Sequence, residues 1–267
     1  MFQTTSHFRQ LRLAICQPLQ QYADVRATKV TRGTQSPLRN CKAGDLDWVI
    51  VRENSEGEYA GLGGRSHTNQ SWELATEVSI FIRHGVERII RFAFEVARGR
   101  PKKHLTVVTK SNAQRNGIVM WDAVASEVAK EFPDVEVDKM LVDAMTVRMT
   151  LKPETLETIV ATNLIGRDEF GAETKHADIL SDLAAALAGP TSNLDPARAN
   201  PSMFEPIHGS AFDITGKGIA SPVATFWTVC VCEKGVMTRD LGGSATTVEM
   251  TTAVCEAIET KLGKARS

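Results

Sequence analysis

Asp178 and Asp182 stand four apart in "HADILSDL", a spacing that stacks both carboxylates on one face of a helix. Stacked hard oxygen donors suit a divalent cation, and the same pair also fits a solvated acidic face with an N-cap. "ATNL" upstream reads as the carboxyl end of a buried strand, where ligands collect in α/β sheets. "VIVRENSEGEYAGLGGRSH" runs from a strand into a Gly-rich loop bearing Arg52 and Tyr59. There Arg52 suits a bidentate hold on a carboxylate and Tyr59 a proton donor, against a surface ion pair and a half-buried tyrosine. Gly61, Gly63 and Gly64 carry little phosphate-loop signal, because GxGG is not GxGxxG and no helix follows directly. "TVVTKSNA" sets Lys110 immediately after a buried strand. Desolvation there lowers a lysine pKa toward that of a useful base, and a snorkelling lysine is the alternative. GxSxG, HExxH and Walker motifs are absent from the sequence.

These side chains need a scaffold of alternating strands and helices, and the hydrophobic pattern supplies one. "LDWVIVREN" reads as a strand, "GVERIIRFAFEVARGR" as a helix with Val86, Ile89, Ile90, Ala93 and Val96 on one face, and "HLTVVTK" as a strand. "GIVMWDAVASEVAKEF" follows as a second amphipathic helix, then "VEVDKMLVD" as a strand, a further helix, and "ETIVATNL" as a strand. This order predicts an α/β fold with crossover units and a largely parallel sheet. The texture changes at "LAGPTSNLDPARANPSMFEPIHGSAFDITGKGIASP", whose Gly, Pro, Ser and Asn content predicts a long ordered functional loop and a domain boundary near Gly189. "VCVCEKGVMTRDLGGSATTVEM" reads as a broken helix and a Gly loop, and "TTAVCEAIETKL" as a terminal helix.

With 31 Lys plus Arg against 32 Asp plus Glu in 267 residues, the chain has no net field for nucleic acid or an anionic membrane. An anionic ligand must therefore be met by local cations. The longest apolar runs are too short to span a bilayer, and "MFQTTSHFRQ" lacks a signal-peptide core, so a soluble, cytoplasmic protein is expected. Five scattered cysteines without a CxxC predict neither a disulfide framework nor a structural zinc site.

"VRENSEGEYAG", "TVVTKSNA", "DILSDLAAALAG" and "NPSMFEPIHGSAFDITGKGIASP", in that order, resemble the β-decarboxylating hydroxyacid dehydrogenases of the isocitrate and isopropylmalate dehydrogenase superfamily. The likeness is closest to its tartrate dehydrogenase and decarboxylating D-malate dehydrogenase branch and covers roughly residues 11 to 228. The resemblance implies two α/β domains, with the active site in the cleft and a homodimer whose subunits lend residues to each other. It implies oxidative decarboxylation of a small 2-hydroxy dicarboxylic acid, D-malate or tartrate, with NAD and Mg²⁺ or Mn²⁺.

By this likeness Arg26 and Arg52 grip the substrate carboxylates and Tyr59 protonates the enolate carbon. Asp178 and Asp182 hold the metal in their own subunit, and Asp143 from "LVDAMTV" completes that site across the dimer. Lys110 also reaches over as the base relay, with Asn112 near the nicotinamide. "FEPIHGSAFDITGKGIASP" resembles the adenosine-binding loop, with Glu205, His208, Gly209, Ser210 and Ala211 along the dinucleotide. Asp213 would accept from an unphosphorylated ribose and repel a 2′-phosphate, which favours NAD over NADP.

The sequence also departs from the family pattern. Nothing before Leu11 corresponds to the opening GDGIG-type segment, which implies an N-terminally truncated chain: a remnant of the large domain over 1–23, a central domain with the dimer and metal residues over 24–188, and the C-terminal part of the cofactor domain over 189–267. Cys16 replaces a substrate arginine of the isopropylmalate branch, with Arg12 one turn away as its substitute, and Ser221 stands where an asparagine usually contacts adenine. "ALAGPTSNLDP" lacks a short glycine-containing turn, and removing "IGRDEFGAETK", residues 165 to 175, restores the uninterrupted "ATNLHADILSDL". Those eleven residues read as an exon-boundary error or retained intron. The expected activity stands beside a second reading, a truncated non-catalytic paralogue that keeps the dimer-forming domain and pairs with a full-length homologue.

Overall fold

The computed structural model describes residues 14–30, 44–162, 190–206, 214–220 and 243–265. They fall in two compact units, one built on 14–25, 49–162 and 192–203, the other on 26–30, 44–48, 190–191, 204–206, 214–220 and 243–265. The strands are β1 (Ala23–Lys29), β2 (Asp47–Glu53), β3 (Gly57–Ser66), β4 (Leu74–Ile80), β5 (His104–Thr109), β6 (Glu136–Leu141), β7 (Thr158–Ala161), β8 (Pro190–Leu194) and β9 (Met203–Pro206). The helices are α1 (Arg83–Arg98), α2 (Gly117–Ala129), α3 (Val142–Leu151) and α4 (Thr247–Ala265). A seven-stranded sheet runs in the order β6-β5-β7-β2-β1-β8-β9. β2, β7, β5 and β6 pair in parallel, as the alternation of elements requires.

The first unit's core lies between these strands and α1 to α3. Ile50, Val51, Leu105, Val108, Ile159 and Val160 are buried, and strands covered on both faces read as continuous apolar runs. α1 buries Val86, Ile89, Ile90, Ala93, Phe94 and Ala97. Val96, expected on that face, is only half-buried. The inward arc is instead widened by Phe94, which stacks on Phe132 with ring centroids 5.0 Å apart. In the second unit α4 begins earlier than expected. Thr246 and Glu249 form a reciprocal capping box: the Glu249 carboxylate accepts from Thr246 N–H at 2.7 Å, and Glu249 N–H donates back to Thr246 Oγ1 at 3.3 Å.

The Gly-rich stretch after Arg52 is not a loop. It forms β3, paired antiparallel with β4 in a separate two-stranded ribbon, with Gly63 opposite Glu77 and Gly64 opposite Thr76. Glycine is required at 63, where a Cβ would overlap the Thr76 carbonyl, and at 61, where φ is +70°. These glycines serve a bulged, closely approached strand rather than a phosphate cradle.

An ion-pair ladder fastens α1 to α2 and the segment after it. Arg83 pairs with Glu127 and Arg91 with Glu131, while Arg98 grips Asp134 through Nε and Nη2 and lies 4.4 Å over the Phe132 ring. Hydrogen bonds from Arg91 and Arg98 hold the Glu131 and Asp134 carboxyls below the usual range. Depressed folded-state values mean that the ladder's stabilisation is present above the ordinary carboxylate range and lost as pH falls through the lower folded values. Melting curves should therefore show a midpoint that drops below about pH 4. The drop should be shallower in an R91A/R98A variant; identical pH profiles for the two proteins would contradict this.

Candidate active site

Parallel pairing sends the carboxyl ends of β2, β7, β5 and β6 to one edge of the sheet. Arg52 sits opposite Ala161, the last residue of β7. Thr109 sits opposite Leu141, so Lys110 and the first turn of α3 emerge side by side. Ligands in open α/β sheets collect outside such an edge.

Lys110 and Asp143 meet there. Lys110 Nζ donates to Asp143 Oδ2 at 2.6 Å, with the lysine side chain 5% exposed and the aspartate 50% exposed. The lysine is fixed by its own turn: Ala113 N–H and Gln114 N–H both donate to the Lys110 carbonyl, at 2.9 and 3.1 Å. Asp143 stands in the first turn of α3, where the helix dipole favours a negative charge. The pair thus presents a buried ammonium beside an aspartate side chain half open to solvent. A carboxylate on a half-exposed side chain suits a hard divalent cation.

Arg52 is fully buried at the end of β2, and Arg26 on β1 is 6% exposed. Tyr59 lies within β3 and Asn112 in the exposed turn after β5; Glu205 is half-buried on β9. Arg12, Asp178, Asp182, His208, Gly209, Ser210, Ala211, Asp213, Ser221 and residues 165 to 175 lie outside the described residues. Among the described residues no three His, Cys, Asp or Glu side chains converge into a metal-binding group.

The segment between Arg52 and β3 holds polar residues that the sequence reading passed over. Glu53 is buried, and its carboxylate accepts from Ser55 N–H at 2.9 Å, Glu56 N–H at 2.6 Å and Ser55 Oγ at 2.7 Å. Glu56 accepts from Ile82 N–H at 2.9 Å, capping α1, and packs where Gly85 has no side chain. Burial pushes both carboxyls above the usual range. Their contribution to stability has the sign opposite to the ladder's: it is full below the ordinary range and lost as pH rises through the folded values. The detectable signal was the run of three polar residues, "NSE", between a buried strand and a glycine.

Residues 3–232 match the family described as isocitrate/isopropylmalate dehydrogenase. A probable tartrate dehydrogenase/decarboxylase of Agrobacterium vitis is 62% identical over 93% of this chain and 74% of its own length. The decarboxylating D-malate dehydrogenase of Escherichia coli is 38% identical over 89% of this chain and 72% of its own. Among solved structures, isocitrate dehydrogenase from Methylococcus capsulatus superposes with a TM-score of 0.82 at 30% identity, covering 96% of this chain and 78% of that one. A parallel sheet whose carboxyl edge carries Arg52, Lys110 and Asp143, in a sequence matched from residue 3 to 232, places the chain in the isocitrate/isopropylmalate dehydrogenase family.

Proposed function

We propose that the chain catalyses NAD⁺- and Mg²⁺- or Mn²⁺-dependent oxidative decarboxylation of a small 2-hydroxy dicarboxylic acid, D-malate or tartrate. The observation that carries this reading is the Lys110–Asp143 pair at the carboxyl edge of the sheet, in a chain 62% identical to a probable tartrate dehydrogenase/decarboxylase. In this reading Arg26 and Arg52 hold the substrate carboxylates, with Arg12 as an additional cation. Lys110 is the base relay, its Nζ taking the hydroxyl proton once it has given up its own ammonium proton, and Tyr59 returns a proton to carbon after CO₂ leaves. Asp143, Asp178 and Asp182 are the oxygen donors for the metal; Asn112, Glu205, His208, Gly209, Ser210, Ala211, Asp213 and Ser221 line the dinucleotide. When bound, the metal supplies Lewis acidity and NAD⁺ the hydride acceptor.

The same reading makes the protein a homodimer in which Lys110 and Asp143 serve the partner's site. Exposed Leu141 at the end of β6, Val147 and Leu151 on α3, and Leu62, Leu74 and Val78 on the ribbon offer apolar surface for that contact. No helix among the described residues is long and apolar enough to cross a membrane. We place the protein in the cytoplasm, where scattered cysteines persist as thiols.

The test is NADH formation by the purified chain with Mn²⁺, NAD⁺ and D-malate or tartrate, alongside sedimentation to establish the dimer. Turnover with either acid supports the reading. A folded dimer that makes no NADH from D-malate, tartrate or isopropylmalate overturns it and marks a non-catalytic paralogue.

A further inference from the structure

We propose that Glu53 is a positioning residue for Arg52: its buried carboxylate closes the turn that fixes the direction from which Arg52 meets substrate. This rests on the substrate-binding role given to Arg52 above. Neighbouring strand residues point to opposite faces, so Arg52 and Glu53 share a backbone but not a surroundings. The Arg52 Cα is set on one side by its pairing with Ala161. β2 lies between β7 and β1 and ends at Glu53; beyond it the chain leaves the sheet, and strand geometry no longer determines its path.

Each of the next four residues spends its side chain on determining that path. Glu53 holds the Ser55 and Glu56 amides and the Ser55 hydroxyl. Asn54 Nδ2 donates to the Gln21 carbonyl at 3.1 Å and to Asn193 Oδ1 at 3.0 Å, while Asn54 N–H donates to the Tyr22 carbonyl at 2.8 Å. Ser55 Oγ accepts from Arg88 Nη2 at 2.7 Å, and that guanidinium stacks 4.1 Å over the Tyr22 ring with Glu53 Oε1 at 3.8 Å. Glu56 ties the turn's far end to the start of α1. Glu53 is the member that cannot be spared, because its three acceptor bonds lie within the turn and make it rigid before any outside partner is reached. A buried carboxylate is a costly way to close a turn unless the rigidity is used, and a guanidinium that must grip a carboxylate bidentately needs it.

The experiment compares steady-state kinetics of the full-length wild type, Glu53→Met and Glu53→Gln with NAD⁺, Mn²⁺ and the hydroxy acid that the wild type turns over. Methionine removes every acceptor. Glutamine keeps a carbonyl oxygen for the two amides and can donate to Ser55 Oγ, so it should restore the geometry. Displacing a positioning group by 1 Å costs about 100-fold, so Glu53→Met should raise KM for the hydroxy acid about 10- to 100-fold, leave KM for NAD⁺ unchanged, and be largely rescued in Glu53→Gln. A residue needed only for folding would lower the active fraction and leave both KM values alone, and that result overturns the proposal. If the wild type itself neither binds nor turns over a hydroxy acid, the enzymatic reading fails first and takes this one with it.

Discussion

In the proposed reaction, Lys110→Met should lower kcat with D-malate or tartrate by about 10²- to 10⁴-fold, the range expected when a positioned proton-transfer group is removed. It should do so at nearly unchanged melting temperature. Methionine keeps an unbranched stem at this buried position while deleting the ammonium, so the buried volume is nearly conserved. Asp143, with its side chain half exposed, is open to water when the Lys110 ammonium goes, which limits the cost of losing the pair. The contrast between a large rate effect and a small stability effect is what separates a proton carrier from a structural lysine. Asp143→Asn divides the pair further. The amide oxygen still accepts from Lys110 Nζ, but its loss of charge should raise the Mn²⁺ concentration needed for half-maximal rate. Wild-type kcat in Lys110→Met, measured at saturating NAD⁺ and Mn²⁺, would remove Lys110 from the chemistry.

How much of this was legible depends on where the controlling partner lies in sequence. β2, β5, β6 and β7 announce themselves because a parallel strand covered on both faces must be apolar throughout, and Ile50, Val51, Val107 and Val160 leave no other reading. Lys110 was also readable as a singular polar residue at a strand end, while Asp143 came only with the family resemblance. The ribbon was not, because β3 owes its strand character to β4, and local glycines argue for a loop until Thr76 and Glu77 are known to lie alongside. The capping box at Thr246 and Glu249 was a local signal, hidden by the Gly-containing run before it. The Glu53 turn showed locally only as the polar run "NSE": its meaning depends on Arg88, on α1, and on Asn193, whose side chain reaches Asn54 across 139 residues.

Phe94→Ala is the substitution expected to cost most in stability, about 3 to 5 kcal/mol. Phe94 is fully buried, and its ring is stacked on Phe132, so truncation leaves a cavity between α1 and the segment after α2. At roughly 2 to 4 °C per kcal/mol for a chain of this size, calorimetry should show a midpoint lowered by about 10 °C, and Phe94→Leu should recover much of it. A change under about 1 kcal/mol would mean that the α1 core is not packed as described. The same helix carries the Ile82 amide that Glu56 caps and the Arg88 that holds Ser55, so loosening α1 also reaches the turn after Arg52. Well below the lowered midpoint nearly every molecule remains folded, and a change in KM there reports geometry rather than population. Phe94→Ala should accordingly raise the hydroxy acid KM at low temperature in the same direction as Glu53→Met but by less, because the carboxylate that closes the turn is still present. A stability loss with no movement in KM would show that the turn holds Arg52 without help from α1, and would leave Glu53 and Asn54 as its whole support.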